Sequence, residues 1–298
     1  MKLSVDGVDQ PMHFMQIVED INQYYSTILV YSDFYIPKRK VKLSGDANVD
    51  GVILSANYEG DTYKYVIVCE DTYKLINSEC NVFQGEATVK TLLNQKLGYK
   101  YETAFDSESG YWMFPKLRFN SVIDKLNAYT VFGNGGGAHF FINLGGVINS
   151  IDFKRSFTQG TPVKIEGKVV SDKFYTEWVN ATPGIVNIFY HNCEGPQSEV
   201  LKLEENFGIG NLYFSDNTEK SFDLYKRRLT NEFYNNFYTT RQLVVENPVM
   251  DTPRIGALVQ IGDVKTPFMI SGYTAQIPVE DDKVPLLTLN LVGCPETS

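Results

Sequence analysis

Residues 253–293 read PRIGALVQIGDVKTPFMISGYTAQIPVEDDKVPLLTLNLVG, and this stretch decides the fold. Apolar residues take every second position in three short runs, around Val259, Ile270 and Leu289, and glycine, proline and aspartate separate the runs. Such alternation, bounded by turn residues, is typical of half-buried antiparallel strands. We predict three strands here, over residues 257–261, 268–270 and 286–292, with the second ending before Gly272.

The composition is that of an ordinary globular chain. Its 298 residues are enough for two or more domains, and 43% of them are hydrophobic. The net charge of -9 argues against binding to a nucleic-acid backbone, which requires a basic face. The 19 tyrosines and 19 phenylalanines suit the surfaces of sheets and the contacts between proteins.

Several features favour a cytoplasmic site of synthesis and folding. The four cysteines contain no CxxC pair, which predicts free thiols in a reducing compartment: Cys69, Cys80, Cys193 and Cys294. The N-terminus, MKLSVDGVDQPM, lacks the apolar core of a signal peptide. No stretch approaches the ~18 consecutive apolar residues of a membrane-spanning helix.

The first 84 residues predict a β-domain. Short β-rich runs follow one another from Lys40, with Gly-Asp and Asp-Gly turn signals between them, as in a meander or a small barrel. Residues 12–25 are ambiguous, because Phe14, Ile17 and Ile21 have helical spacing but lead into the β-rich run STILVYSDFYI. Both a short helix and a strand–turn–strand fit this segment.

Residues 85–157 predict a mixed α/β segment. A helix is expected over residues 88–97, with Gly98 in the position of a left-handed C-terminal cap. Ser121 is expected to open a second helix, with Asp124 three residues later. The run AHFFINLGGVINSIDF predicts a hairpin with Gly145 and Gly146 at its tip.

The remaining chain predicts further strands and one helix. PVKIEGKVV and FYTEWVN are predicted strands, and residues 183–214 contain strands interrupted by the polar run HNCEGPQSE. Residues 218–237 predict an amphipathic helix, because four aromatic or apolar residues recur at helical spacing: Phe222, Tyr225, Leu229 and Phe233.

A glycine-rich run and the three histidines invite chemical interpretations, which the sequence supports poorly. The run contains Gly133, Gly135, Gly136 and Gly137, but no Lys-Ser/Thr pair follows it, so we interpret it as a turn rather than a phosphate loop. His191 and Cys193 have the spacing of two metal ligands, but no second pair lies nearby in the sequence. His13 stands alone. His139 could meet Cys69 or Cys193 in space, yet neither cysteine lies in a nucleophile motif.

Carboxylates and tryptophans suggest two alternative functions. Acidic loops at Glu102, Asp106 and Glu108, and at residues 280–282, could hold the paired acids of a cell-wall hydrolase, although acidic loops are usually solvated surface. Trp112 and Trp178 could form a carbohydrate-binding platform, but both lie in apolar surroundings that indicate core packing. The basic run at residues 38–40, beside Tyr35, is too short for a nucleic-acid face. We therefore assign no catalytic, cofactor-binding or metal-binding residue and no cofactor, and we predict a protein that is not an enzyme.

The order of the segments resembles the central baseplate hub proteins of contractile phage tails, the gene-27-type hubs of myoviruses, which are related to VgrG-type spike hubs. The resemblance is carried by residues 26–46, STILVYSDFYIPKRKVKLSGD, by the helix at residues 88–97, by residues 119–153, and by residues 241–261, RQLVVENPVMDTPRIGALVQI. It implies a mainly β fold with α+β insertions, in which two small antiparallel tube-like barrels are flanked by mixed segments. The expected parts are a first barrel (1–84), an α/β segment (85–157), the start of the second barrel (158–182), an inserted segment (183–237) and the rest of the second barrel (238–298).

The resemblance also implies an assembly. Three subunits, each with two barrels, would form a ring that adapts a threefold spike to a sixfold tail tube and nucleates the tube. The expected partners are two further copies, the spike below, the tube or its initiator above and the surrounding wedge proteins. DNA would pass through an acidic lumen without specific binding. The expected location is the tail baseplate of the virion, and a phage-derived injection system is the nearest variant.

Overall fold

The computed structural model describes most of the chain, namely residues 2–37, 39–44, 48–103, 106–107, 109–130, 132, 138–152, 155–156, 160–174, 185–192, 195–202, 209–215, 241–249, 253–261, 267–279 and 283–293. Within these ranges the chain is mainly β, as the sequence predicts, and thirteen of the described strands belong to one sheet. No described helix is long and apolar enough to cross a membrane.

Seven strands precede the first helix: β1 (Lys2–Val5), β2 (Val8–Gln10), β3 (Phe14–Asp20), β4 (Thr27–Ser32), β5 (Lys40–Ser44), β6 (Val49–Glu59) and β7 (Thr62–Cys69). The ambiguous residues 12–25 therefore form a strand and a turn, which confirms one of the two predicted alternatives. Extended structure prevails over the helical spacing because β3 hydrogen-bonds to a neighbour on each side. Met15 is fully buried in this strand, whereas Gln16 is half-buried.

The middle segment combines three helices with two pairs of antiparallel strands. It contains α1 (Glu70–Ile76), β8 (Phe83–Ala87), α2 (Val89–Thr91, continued by a π-helical turn over Leu92–Leu97), β9 (Gly110–Phe114), α3 (Phe119–Tyr129), β10 (Ala138–Ile142) and β11 (Ile148–Asp152). The predicted helix at residues 88–97 is confirmed, and Gly98 ends it with φ of 81°. The predicted hairpin is also confirmed, with Gly146 at φ of 76° in its turn. Helix α1 was not predicted.

Helix α3 begins two residues before the predicted start. Arg118 occupies the N-cap position without a side-chain cap, so the prediction that Ser121 opens this helix is wrong. Tertiary packing decides the start, because the ring of Phe119 is fully buried and lies edge-on to the ring of Tyr99. Asp124 accepts a hydrogen bond from the hydroxyl of Tyr24 at 2.7 Å instead of serving the helix end.

The last part of the chain contains β12 (Val163–Lys164), β13 (Glu166–Phe174), β14 (Ile185–Asn192), β15 (Gly195–Lys202), β16 (Ile209–Ser215), β17 (Arg241–Val249), β18 (Leu258–Gln260), β19 (Phe268–Pro278) and β20 (Leu286–Gly293). The polar run HNCEGPQSE does not interrupt the strands as predicted, because its residues 191–192 belong to β14 and its residues 195–199 to β15. These two strands pair with each other and form a separate three-stranded sheet with β16. The predicted helix over residues 218–237 lies outside the described residues, as does most of the predicted strand FYTEWVN.

The three predicted C-terminal strands are present as β18, β19 and β20, but β19 is longer than predicted. It passes through Gly272, where the register shifts, and continues to Pro278. A Cβ atom on Gly272 would lie 2.7 Å from a carboxylate oxygen of Asp20 and 3.1 Å from the carbonyl oxygen of Glu19. This glycine therefore permits β3 to approach β19 closely, rather than ending the strand.

The large sheet runs in the order β13-β17-β20-β19-β3-β4-β7-β6-β5-β1-β2, with β18 attached to β19 and β12 attached to β18. Separate apolar cores lie against its N-terminal strands, against its C-terminal strands and within the middle segment. Among the described strands, no pairing closes either half of this sheet into a ring, so the two tube-like barrels and the segment boundaries stay predictions.

Candidate functional site

The seam between β3 and β19 joins the N-terminal strands to the C-terminal strands. The register places Glu19 opposite Tyr273 and Met15 opposite Ile277. The side chain of Ile17 packs against the cores of both halves. The first and last parts of the chain thus form one continuous sheet, although the whole middle segment lies between β7 and β12 in the sequence.

A buried carboxyl group lies at this seam. The side chain of Glu19 is only 7% exposed, and it accepts a hydrogen bond from the hydroxyl of Ser26 at 2.5 Å. The hydroxyl of Tyr273 and the backbone N–H of Leu144 also lie near this carboxyl and favour its charged form. Burial raises the pKa of Glu19, and these donors, together with the charge of Arg254, offset part of that increase.

The same cluster raises the pKa of the hydroxyl of Tyr273. Burial, followed by the charge of Glu19, raises the pKa of the Tyr273 hydroxyl well above its usual value, so this group stays protonated and donates. The hydroxyl of Ser26 lies within hydrogen-bond distance of both the Glu19 carboxyl and the carbonyl of Ile142 in β10, so this cluster also connects the middle segment to the large sheet. The backbone N–H of Ser26 completes the link by donating to the carbonyl of Ile142 at 2.9 Å.

Glu19 is not among the predicted candidate residues, although the sequence contains a signal for it. The alternation Met15, Ile17, Glu19, Ile21 places a carboxylate in the apolar phase of a strand. A charged residue in that phase is expected to be buried and hydrogen-bonded. Its partner Tyr273 is too distant in the sequence to be identified from the same pattern.

Two strand segments present open edges. Strand β5 pairs with β6 only at residues 49–52, so the rest of β6 has no described neighbour on that side. All residues from Ser55 to Glu59 are exposed. At the opposite end of the sheet, β13 is the outermost described strand, and all residues from Glu166 to Val170 are exposed. Unpaired strand edges are templates for pairing with another chain.

An aromatic cluster lies beside the open part of β6. The rings of Tyr35 and Tyr58 each contact the ring of Tyr63, with centroids 5.6 Å and 4.8 Å apart. The segment that carries Phe34 and Tyr35 is fixed by Tyr65, whose hydroxyl donates to the carbonyl of Phe34 and accepts from the N–H of Ile36. Tyr35 and Tyr58 are both more than half exposed, which is typical of residues at protein contacts.

A cleft of about 510 Å³ lies between the middle segment and the residues around Gly256. Glu102 and Asp152 line it together with Arg155. The side chain of Glu102 is 62% exposed and forms an ion pair with Lys100 at 3.2 Å, while Asp152 accepts from the backbone N–H of Arg155. Glu19 is not among the residues that line this cleft.

Two other residues that the sequence suggests as site candidates, Asp106 and Trp112, have structural roles. Asp106 caps helix α2, accepting from the hydroxyl of Thr88 at 2.6 Å and from the N–H of Lys90 at 3.0 Å. Trp112 is buried, as expected, and its indole N–H donates to the carbonyl of Ala87. It therefore offers no exposed platform for a sugar.

The histidines, basic residues and cysteines within the described ranges do not converge on one site. His13 contacts the carboxylate of Asp33 at the surface, and His139 is buried beside Phe141. Lys40 forms an ion pair with Glu70. Cys69 and Cys80 are free thiols, and the described residues contain no cluster that could hold a metal ion. The remaining candidates lie outside the residues whose side chains are described: Lys38, Glu108, Gly133, Gly135, Gly136, Gly137, Trp178, His191, Cys193, Glu280, Asp281, Asp282 and Cys294.

No protein-family model and no curated protein sequence matches the chain, whereas several solved structures have a similar fold. The 43 kDa tail protein of prophage MuSo2 from Shewanella oneidensis matches 98% of the chain and 97% of its own length, at 12% identity and a TM-score of 0.65. A tail protein from Neisseria meningitidis matches 97% of the chain and 95% of its own length, at 12% identity and a TM-score of 0.56. The chain has the fold of phage tail proteins.

A third similar structure extends this fold to secretion systems. It is an Escherichia coli protein described as a component of the type VI secretion system, with structural similarity to the phage T4 tail proteins gp27 and gp5. It matches 99% of the chain and 78% of its own length, at 13% identity and a TM-score of 0.51. The resemblance to baseplate hub proteins is thus confirmed at the level of the tail-protein fold.

Proposed function

We propose that the chain is the central hub of a contractile phage-tail baseplate. In this proposal three copies form a ring that adapts the central spike to the sixfold tail tube and nucleates the tube. The same ring would serve a phage-derived injection system, since one of the similar structures is a type VI secretion component. The protein acts through its contacts and has no catalytic role.

The continuous sheet across the β3–β19 seam is the observation that carries this proposal. Each half of the sheet has its own apolar core, so one chain supplies two sheet-built bodies side by side. Three such chains would supply six bodies around an axis, which matches a threefold partner on one side and a sixfold partner on the other. In this arrangement the two halves are the tube-like barrels of residues 1–84 and of residues 158–182 with 238–298.

The remaining parts of the proposal concern the partners. The spike binds below the ring, the tail tube or its initiator above it, and the wedge proteins around it. A net charge of -9 for each subunit suits a lumen past which DNA slides, because phosphates are repelled by an acidic wall. The assembled protein would be located in the baseplate of the virion.

The direct test is the mass and shape of the assembled protein. The purified chain, alone and with the spike protein from the same tail-gene cluster, is analysed by sedimentation and by electron microscopy. We expect a complex with three copies of the chain and a ring of six similar bodies in projection. A chain that stays monomeric with the spike present would contradict the hub function.

A cell-wall hydrolase is the second candidate, and the cleft beside Glu102 and Asp152 is the feature that favours it. Hydrolases of this kind use two carboxyl groups, one of which is usually held in apolar surroundings. The exposure of Glu102 and its ion pair with Lys100 fit this requirement poorly. A peptidoglycan zymogram tests the candidate, because a hydrolase would produce a cleared band that disappears in Glu102→Gln and in Asp152→Asn.

A further inference from the structure

We infer that the outer edge of β11, inside the cleft beside Glu102, binds an extended basic segment of another protein by strand addition. This inference goes beyond the proposed hub function and does not depend on it. The binding edge belongs to the separate two-stranded sheet of β10 and β11, not to the large sheet.

The hydrogen bonds around β11 show which of its backbone groups face the cleft. The N–H of Ile148 donates to the carbonyl of Lys100 at 3.2 Å, and its carbonyl accepts from the N–H of Glu102 at 3.1 Å, so both groups point away from β10. These directions alternate along a strand, so the N–H and C=O of Ser150 also point away from β10. Phe140, opposite Ser150, agrees with this, because its N–H donates to a side chain of α3.

The edge of β11 at Ser150 is open. No described residue hydrogen-bonds to the backbone N–H or C=O of Ser150, which is half-buried and lines the cleft. Residues 100–102 cover the start of this edge, but their described backbone hydrogen bonds to β11 involve only Ile148. An extended segment can therefore continue along the edge from the point where residues 100–102 leave it.

The cleft has the dimensions of a short peptide site. Its volume of about 510 Å³ lies within the ~300–1,000 Å³ that is usual for ligand sites. Residues 149–152 of β11 line it and extend over ~13 Å, at ~3.3 Å per residue. Ile255 and Gly256 line it from the C-terminal half of the chain. An extended segment of about five residues matches this length.

The charges that line the cleft favour a basic segment. Glu102, Asp152 and Arg155 supply two negative charges and one positive charge. Ser150 and Tyr101 lie on one face, since their hydroxyl oxygens are 2.6 Å apart. Consecutive residues of a strand alternate between faces, so Asp152 lies on the face of Ser150 and Glu102 on the opposite face. A segment in the cleft thus meets a carboxylate on each of its faces.

The carboxylate of Glu102 can exchange its present partner for a cation of the incoming segment. It pairs with Lys100 at 3.2 Å, and the two side chains are 62% and 70% exposed. Exposed ion pairs of this kind are weak, so replacing the lysine costs little. The net charge of -9 adds a long-range attraction for a basic partner.

Binding of a labelled peptide tests the inference. Fluorescein-labelled VKTTKV-amide is titrated with the purified full chain and followed by fluorescence anisotropy, and we expect saturable binding. VKPPKV-amide is the matched control, because it has the same charge, but one of its two consecutive prolines removes an amide that would face β11 in either register. VETTEV-amide reverses the charges. Both controls should bind at least tenfold more weakly.

Charge reversal in the protein locates the binding site. Glu102→Lys should raise the dissociation constant of VKTTKV-amide about fivefold or more, because it replaces attraction with repulsion in the cleft. Glu86→Lys is the matched control, since it changes the net charge equally at an exposed position of β8 that does not line the cleft. It should leave the dissociation constant nearly unchanged.

A backbone substitution tests the pairing itself. Ser150→Pro should abolish binding, and the chain should still fold because proline is tolerated where a strand N–H faces outwards. Ser150→Ala is the control, since it loses the hydroxyl contact with Tyr101 but keeps the amide, and it should bind as the wild type does. Circular dichroism checks the folding of both variants.

Hydrogen exchange of the wild type gives a readout that does not depend on the proline variant. The amide of Ser150 should exchange rapidly in the free chain and at least tenfold more slowly with saturating VKTTKV-amide. The amides of Asn149 and Ile151 point towards β10 by the same alternation, so they should be protected with and without the peptide.

Four results would overturn this inference. Equal binding of VKPPKV-amide would mean attraction by charge without strand addition, and equal binding of VETTEV-amide would mean that the segment need not be basic. Unchanged exchange of the Ser150 amide in the bound state would place the peptide elsewhere. Peptide binding that weakens as the protein concentration rises would mean that a second copy of the chain fills the cleft. None of these results bears on the hub function, which is decided by assembly with the spike.

Discussion

The carboxyl group of Glu19 lies inside the sheet, where its ionisation is opposed by burial and only partly supported by hydrogen-bond donors. In the unfolded chain this group ionises near its ordinary pKa of 4.5, whereas in the folded chain it keeps its proton to higher pH. The bound proton therefore stabilises the folded state fully below the unfolded pKa. This contribution is lost as the pH rises through the raised pKa.

Glu19→Gln should remove this dependence on pH. Relative to the wild type, the variant should gain unfolding free energy as the pH rises above the ordinary pKa of 4.5, by at most ~1.4 kcal/mol per pH unit, and then level off above the raised pKa. Urea unfolding at a series of pH values measures the difference. Glu102→Gln is the matched control, because it makes the same substitution at an exposed carboxyl outside the seam. A flat difference for Glu19→Gln would mean that the folded chain accommodates the charge without cost.

Arg241 and Asp172 form a bidentate ion pair in the C-terminal half, with two contacts of 2.9 Å and 2.6 Å. Asp172→Asn should reduce the unfolding free energy by about 1–3 kcal/mol, because the buried arginine would lose the charge of its bidentate partner. Glu246→Gln, which breaks the exposed pair with Lys168 on the same two strands, should cost less than about 1 kcal/mol.

The response to acid distinguishes a charge effect from a packing effect in the Asp172 variant. Arg241 lowers the pKa of Asp172, so this pair stabilises the fold above the ordinary pKa of 3.8, and that contribution is lost as the pH falls through the lowered pKa. The difference between the wild type and Asp172→Asn should therefore shrink in acid. An undiminished difference at low pH would attribute the loss of stability to packing.

At the scale of single elements, the sequence predicts strands well because period-two alternation is a local property. The C-terminal strands and the β10–β11 hairpin follow directly from their own residues. The incorrect predictions arise where contact with a residue distant in the sequence determines where an element begins or ends. Helix α3 starts at Phe119 because that ring packs against Tyr99, and β19 continues through Gly272 because β3 lies against it. The seam itself pairs residues about 250 positions apart, such as Glu19 and Tyr273, so no local pattern could reveal it.

The close approach at Gly272 gives a prediction for the seam as an element. Gly272→Ala should lower the unfolding free energy by about 1–3 kcal/mol, because the new methyl group would meet the backbone oxygen of Glu19 as well as the carboxylate of Asp20. Thermal or urea unfolding measures the loss. Gly145→Ala is the control, since the nearest atom there is a side-chain oxygen of Asn143 at 3.4 Å. Equal stability of the two variants would mean that β3 and β19 can separate without cost.

At the scale of the whole molecule, the order of strands in the sheet makes the last strand central. Strand β20 lies between β17 and β19, and β19 in turn carries the contact to β3. Three of its leucines are buried: Leu287, Leu289 and Leu291. Burial of leucine side chains contributes about 1.5–3 kcal/mol each, which is a large share of the ~5–15 kcal/mol that keeps a typical domain folded.

A chain of residues 1–284 should therefore lose the cooperative unfolding of its C-terminal half, while a chain of residues 1–293 keeps it. Both are compared by circular dichroism and by hydrogen exchange, which reports each half of the sheet separately. We expect protection to disappear from β17 and β19 and to persist in β4 and β7, because those two strands pair with each other and share the N-terminal core. A synthetic peptide of residues 285–293 should restore protection to β17 and β19 by occupying the gap between them. Full protection of β17 in the shorter chain without the peptide would show that the C-terminal half does not depend on β20.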